Sequence, residues 1–206
     1  MAARPLARAP VRRLSVHAML ESHEAALRAG VPQIQVSWLA DEALTLGASQ
    51  REDVPSAQRA RAAGIPLLRR GSGGTGVFFG EGDLAWAVIL PRTDVLVGRR
   101  FGSAYAPLGA GVVEWLARSR VSARWRASAG SEPELCLLGA RGEVLDSAGR
   151  VLGGAAQHVT STTLLHEGIV LSRLRPERLA ALFGLSHARL EAELVGLHEL
   201  GLAREP

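Results

Sequence analysis

The sequence predicts an α+β fold, a mixed or antiparallel sheet with helices packed on it. Its 206 residues are 47% hydrophobic, enough for one substantial core with a small appendage. Short apolar or alternating segments punctuated by Gly, Ser and Pro fill the middle of the chain and read as strands. Segments with helical spacing stand at the start, near the centre and at the end. They do not alternate regularly with the strands, which argues against a doubly wound parallel sheet.

The basic start, residues 1–13, shows no periodicity and is expected to be a disordered arm. "LSVHAMLESHEAALRAG" carries apolar residues at helical spacing and ends in Gly30, giving a helix over 14–29 with a glycine cap. "QIQVSWL" alternates, and "ALTLGAS" follows Asp41 and Glu42, so two strands with a tight connection are predicted. A short helix near 55–63 leads through "GIPLLRR" to a glycine loop. "VFFG" and "LAWAVIL" flank "EGD", a hairpin signal with Gly82 at positive φ. "SAYAPLGAGVVEWLARSR" reads as a helix despite its glycines. "ARWRA", "ELCLLG", "GEVLD", "RVLGGAAQHV" and "LLHEGIVL" read as strands. Two helices close the chain, "RPERLAALFG" and "SHARLEAELVGLHEL", the second capped by Ser186.

All 24 basic residues are arginine, the formal net charge is +4, and the arginines are interspersed with acids. No nucleic-acid footprint follows, and the closing helix pair reads as packing rather than a DNA-reading motif. No apolar run approaches the roughly 20 residues that cross a bilayer, and the start lacks the apolar stretch of a secretory signal, so a cytoplasmic protein without membrane contact is expected. The single cysteine, Cys136, excludes an internal disulfide. It is either a small buried hydrophobe or a reactive thiol. His17 and His23 are assigned to the surface or core edge of the first helix. His158 and His166 lack ligand spacing and a third partner, so no metal site is expected.

The stretch "RRGSGGTGVFF" has the composition of a linker but the flanks of strands. A loop clamped in this way can aim backbone N–H groups at an anion or a carbonyl.

Four stretches stand together in an order that resembles the lipoate-protein ligase and octanoyltransferase family, which includes the biotin ligase catalytic domain. They are "QIQVSWLADEALTLGASQ" after the first helix, "GIPLLRRGSGGTGVFF" with "GDLAWAVI", "GRVLGGAAQ", and "LLHEGIVL". The last three are similar to the family patterns R-R-x-S-G-G-G-x-V-[FY]-H with G-N-L-x-[FY]-S, G-[RK]-K-[IV]-x-G-S-A-Q, and L-x-H-G-[ST]-[IL]-L. The resemblance implies a biotin/lipoate ligase-like catalytic domain over 14–172, with 173–206 a helical extension packed on it. It also implies attachment of a lipoyl or octanoyl group to a carrier-protein lysine. Lipoate or octanoate would be the substrate, with no tightly bound cofactor, and ATP and Mg would be needed by a ligase. The partners implied are a lipoyl domain or acyl carrier protein and a chain supplying an accessory domain.

The resemblance assigns substrate binding to Arg69, Arg70, Ser72, Gly73, Gly74, Thr75, Phe79, Asp83, Gly153, Gly154, Ala155 and Gln157. Arg70 would offer a planar donor fork to a carboxylate or phosphate, and Ser72 a hydroxyl at the mouth. His166 is matched to the histidine of the family strand. The chain departs from the pattern where the family's histidine becomes Phe79, its third glycine Thr75 and its asparagine Asp83. The family's lysine, which contacts the acyl carbonyl, falls on Arg150, a residue able to stabilise negative charge but not to transfer a proton. Cys136 resembles the cysteine that one octanoyltransferase branch uses as acyl acceptor, and with Arg150 it forms the catalytic assignment. Three activities stay open: acyl transfer, ATP-dependent ligation, and acyl or partner binding by a catalytically degenerate accessory subunit.

Overall fold

The computed structural model describes residues 7–8, 10–98, 102–127, 134–139 and 142–202. Strands β1 (Ala7–Arg8) and β2 (Arg12–Leu14) precede helix α1 (Val16–Ala29), strands β3 (Gln33–Leu39) and β4 (Ala43–Leu46), and helix α2 (Pro55–Ala62). There follow β5 (Leu67–Arg69), β6 (Val77–Phe79), β7 (Leu84–Pro91), α3 (Tyr105–Arg118) and β8 (Ala123–Ala127). A 3-10 turn at Cys136–Leu138 leads to β9 (Gly142–Asp146), β10 (Val151–Val159) and β11 (Thr163–Val170). Helices α4 (Pro176–Phe183) and α5 (His187–Glu193) and a 3-10 turn at His198–Leu200 complete the order.

Among the described residues the strands form a large sheet, β1-β3-β7-β11-β10-β9-β8 with β2 also on β3, and a small one, β5-β4-β6. Strand β7 is almost continuously apolar and largely buried, as a strand covered on both faces must be. It therefore lies in the interior of the large sheet, antiparallel to β3 on one side and β11 on the other. One face packs Ile169 of β11 against Val16, Met19 and Leu20 of α1 and Leu44 and Phe78 of the small sheet. The other face packs Trp86, Leu152 and Val170 against Tyr105 and Leu116 of α3.

Helix α1 starts where Ser15 Oγ accepts from Ala18 N at 3.1 Å, and it stops at Gly30, whose φ of +65° closes the last turn. Its buried stripe, Val16, Met19, Leu20, His23, Ala26 and Leu27, recurs at helical spacing. No helix among the described residues is long and apolar enough to cross a membrane.

Four expectations need correction. Gly82 does take a positive φ, +82°, but the turn is no hairpin: β6 pairs with β4, β7 pairs with β3 and β11, and the chain changes sheets. Turn chemistry reports local backbone geometry, whereas pairing is decided by burial. The tight connection expected between β3 and β4 is present at residues 40–42, and it links the two sheets. "ELCLLG" contributes only a bridge from Leu135 to Gly76 before turning as a 3-10 helix, since an unalternating apolar run does not specify a strand. The last helix ends at Glu193, because Val195 N donates to Val151 O and Gly196 packs onto the Arg173 backbone. Of the N-terminal arm, residues 1–6 and 9 lie outside the described residues, while Ala7–Arg8 and Arg12–Leu14 pair with β3 instead of lacking structure.

Candidate functional site

The loop from Gly71 to Gly76 joins the two edge strands of the small sheet, and Arg70 shapes it from inside. Its guanidinium is buried. Nη1 donates to Thr45 Oγ1 (3.1 Å) and Thr45 O (3.3 Å), and Nη2 to Gly73 O and Thr75 O, both at 2.8 Å. The donor fork expected for a substrate anion is thus turned onto the loop carbonyls of Gly73 and Thr75 and onto Thr45 of β4, which offset the cost of burying the charge. Glycine is required where this loop meets its neighbours. A Cβ on Gly47 would stand 1.9 Å from Gly74 O, and one on Gly74, at φ +95°, would stand 2.7 Å from Cys136 Sγ. A Cβ on Gly73 would meet nothing within 4 Å. Cys136 N donates to Gly76 O at 2.8 Å, which pins the 3-10 turn beneath the loop, and Sγ lies 4.0 Å from Arg70 Nη2.

Loop, turn, helix and sheet enclose a cavity of about 30 Å³. Arg70 and Ser72 come from the loop, Phe79 from β6, and Cys136 from the turn. Gly154 and Ala155 of β10 form one wall, Met19, Leu20 and His23 of α1 another, and Glu167 of β11 lies between. The space suits one water, against the several hundred Å³ usual for a small-molecule site. An acyl chain enters only if side chains such as unbranched Met19 rearrange.

The polar groups are concentrated. Nδ1 of His23 lies 2.7 Å from Glu167 Oε2, and both side chains are buried. Burial pushes the Glu167 carboxyl up, but the hydrogen bond and charge of His23, then Ser72 and Arg70, outweigh it and hold the group below the usual carboxylate range. Ser72 lies near enough to contribute there, yet its buried Oγ closes no hydrogen bond of normal geometry, and neither does Glu167 Oε1. His166, one residue earlier on β11, faces the other side of the sheet among Trp86, Tyr105 and Trp125. Burial lowers its pKa to about 3, and Gln157 Nε2 lies 3.0 Å from the Nδ1 of this neutral ring.

Thus Arg70, Ser72, Phe79, Cys136, Gly154 and Ala155 are brought together around the cavity, with Gly73, Gly74 and Thr75 in the loop beside it. The other assigned residues lie elsewhere. Arg69 donates to Gly47 O, Ala48 O and Gln50 O and pairs with Glu52, bracing the turn after β4. Asp83 is fully buried, accepting from Gly80 N, Ser172 and Arg175. Gly153 packs against the backbone of Ile169. Arg150 sits in the turn between β9 and β10, where Asp146 accepts from its backbone N (2.8 Å), Nε (3.0 Å) and Nη2 (2.9 Å). It does not line the cavity.

Sequence reasoning missed His23 and Glu167. The signal for Glu167 was available: aligning L-x-H-G on Gly168 puts the histidine position at Glu167, so His166 was matched one residue too early. Period-two alternation then turns Glu167, not His166, toward α1. His23 gave no such signal, because its partner lies 144 positions along the chain.

Residues 16–193 match the family model of the lipoyl protein ligase A/B catalytic domain. A crystal structure of lipoate-protein ligase A bound with ATP superposes with a TM-score of 0.76 at 18% identity, covering 95% of this chain and 77% of that one. The Ta0514 protein of T. acidophilum with bound lipoic acid gives 0.72 at 16%, covering 95% and 78%. A bi-partite lipoate protein ligase and its E2 lipoyl domain from Thermoplasma acidophilum give 0.69 at 18%, covering 95% and 76%. No curated protein sequence matches the chain. At these identities the solved structures establish the fold, and the family model establishes membership: the chain belongs to the lipoyl protein ligase A/B catalytic domain family.

Proposed function

We propose that this protein moves an octanoyl or lipoyl group from a carrier thioester to a lysine of a lipoyl domain, through a thioester on Cys136, as a cytoplasmic enzyme. The observation that carries the reading is that Cys136 lines the cavity beside the glycine loop, whereas Arg150 is held outside it by Asp146. In the first half-reaction the Cys136 sulfur attacks the thioester carbonyl and the carrier thiol leaves. In the second the lysine amine attacks the new thioester, an amide forms, and the Cys136 thiol is released. Relatives with bound lipoic acid and with an E2 lipoyl domain support the acyl group and the acceptor.

The ligase reading takes ATP and Mg, and a relative bound with ATP supports it. A chain supplying an accessory domain would suit it, as in a bi-partite ligase. Another reading, a degenerate acyl-binding or accessory subunit, is favoured by the water-sized cavity and by the absence of lysine from residues 149–157.

The test supplies octanoyl carrier protein, or lipoate with ATP and Mg, together with a lipoyl domain. The transferase yields amide from the thioester alone, and Cys136→Ser abolishes it. Pyrophosphate release from lipoate and ATP, unchanged in Cys136→Ser, would replace this reading with the ligase. Absence of product from either donor, with ligand still bound, would replace it with the accessory subunit.

A further inference from the structure

The transfer scheme moves a proton in each half-reaction, and Arg150 supplies no means of doing so. A guanidinium does not give up its proton in proteins, and this one is bound to Asp146 away from the cavity. Arg70, the cation nearest the sulfur, is committed to Thr45, Gly73 and Thr75. Among the described residues that line the cavity, the side chain with one ring nitrogen to exchange a proton and a second to hold an orienting partner is the imidazole of His23.

His23 is held in the manner that such a role requires. Helix α1 brings it onto the large sheet, and Glu167 of β11 fixes its Nδ1 at 2.7 Å. With Nδ1 engaged, Nε2 is the nitrogen left for a group in the cavity that His23 lines together with Cys136 and Ser72. Two buried oxygens of that lining, Ser72 Oγ and Glu167 Oε1, close no hydrogen bond of normal geometry, so the site retains capacity for a polar group within it. The other titratable or charged groups facing the pair are Arg70 and Cys136. Glu24 of α1 and His158 of β10 stand 3.8 Å apart beside Gly71.

We propose that His23, oriented by Glu167, is the proton carrier of this cavity, a role that rests on the transferase reading above. As the Cys136 sulfur bonds to the thioester carbon, His23 accepts the thiol proton and returns it to the departing carrier thiol. As the lysine nitrogen bonds to that carbon, His23 accepts a proton from the amine and gives it to the Cys136 sulfur. Glu167 stays ionised and stabilises the imidazolium formed in between. His23 then touches the reacting atoms, and Glu167 acts through it as a positioning residue.

Chemical rescue tests this with two probes, S-octanoyl-pantetheine for acylation of Cys136 and iodoacetamide for simple alkylation. In His23→Ala both reactions at neutral pH fall, acylation by about 100-fold. Added imidazole restores acylation by about tenfold or more. Glu167→Gln slows acylation by about tenfold and is not rescued, because its imidazole is present but unaligned. His23→Asn keeps an amide donor for Glu167, preserves the fold where alanine does not, and stays slow. Wild-type rates in His23→Ala or His23→Asn, or slow rates in a folded His23→Ala that imidazole leaves unchanged, would overturn the proposal. If wild-type protein forms no octanoyl-Cys136 while alkylation still shows imidazole rescue, the transferase reading falls and the His23–Cys136 relationship stands.

Discussion

A Cβ on Gly74 would stand 2.7 Å from the sulfur of Cys136, at a backbone φ of +95°. The glycine loop and the thiol are therefore one packed unit. Gly74→Ala combines left-handed strain with displacement of the sulfur. It should lower stability by about 2 kcal/mol and slow acylation of Cys136 by about tenfold. Urea unfolding and acylation rates measure the two effects. Wild-type values for both would show that loop and thiol are independent.

Arg70 holds the same unit from the other side. Arg70→Ala leaves the carbonyls of Thr45, Gly73 and Thr75 without their partner and should cost about 3 kcal/mol or more in urea unfolding. Arg70→Lys should recover only part, since one ammonium cannot reach both sides of the fork. Full recovery by lysine would mean that charge alone, and not the planar geometry, supports the loop.

His166 gives the fold an acid sensitivity. Its folded pKa, about 3, lies below the ordinary value of 6.5, so as pH falls the unfolded chain takes up the proton first. Stability from this group is complete above pH 6.5 and is lost progressively toward pH 3. Between pH 6.5 and 4.5 the loss is about 2 kcal/mol. His166→Gln should therefore lose about 2 kcal/mol less than wild type over that interval, with the carboxylates common to both proteins cancelling. Parallel pH dependence in the two proteins would contradict the assignment of a buried neutral imidazole.

Much of this was legible in sequence, for reasons that differ by element. Helix α1 and strands β3, β7 and β11 announce themselves because their periodicity and their burial coincide. The "EGD" turn was readable at Gly82 but not in its pairing, since which sheet receives β7 depends on β3 and β11, far along the chain. The glycine loop and Cys136 were found through an ordered motif set. Their contact was not, because it needs the 3-10 turn that "ELCLLG" conceals. The His23–Glu167 pair joins two elements that share no local pattern, so only the folded chain reveals it.

Laid on residues 149–157, the pattern G-[RK]-K-[IV]-x-G-S-A-Q places its lysine on Val151 rather than on Arg150, which is tied to Asp146 outside the cavity. Arg150→Lys should therefore change Cys136 acylation by less than about threefold and cost about 1 kcal/mol or less, as for a half-exposed ion pair. A gain of about tenfold or more in acylation would show that position 150 reaches the reacting carbonyl after all.

The most direct test of the account is the intact mass of the protein after incubation with octanoyl carrier protein. Transfer through Cys136 leaves one added octanoyl group that hydroxylamine removes and that Cys136→Ser does not acquire. An unmodified mass in wild type, or an adduct that persists in Cys136→Ser, would contradict it.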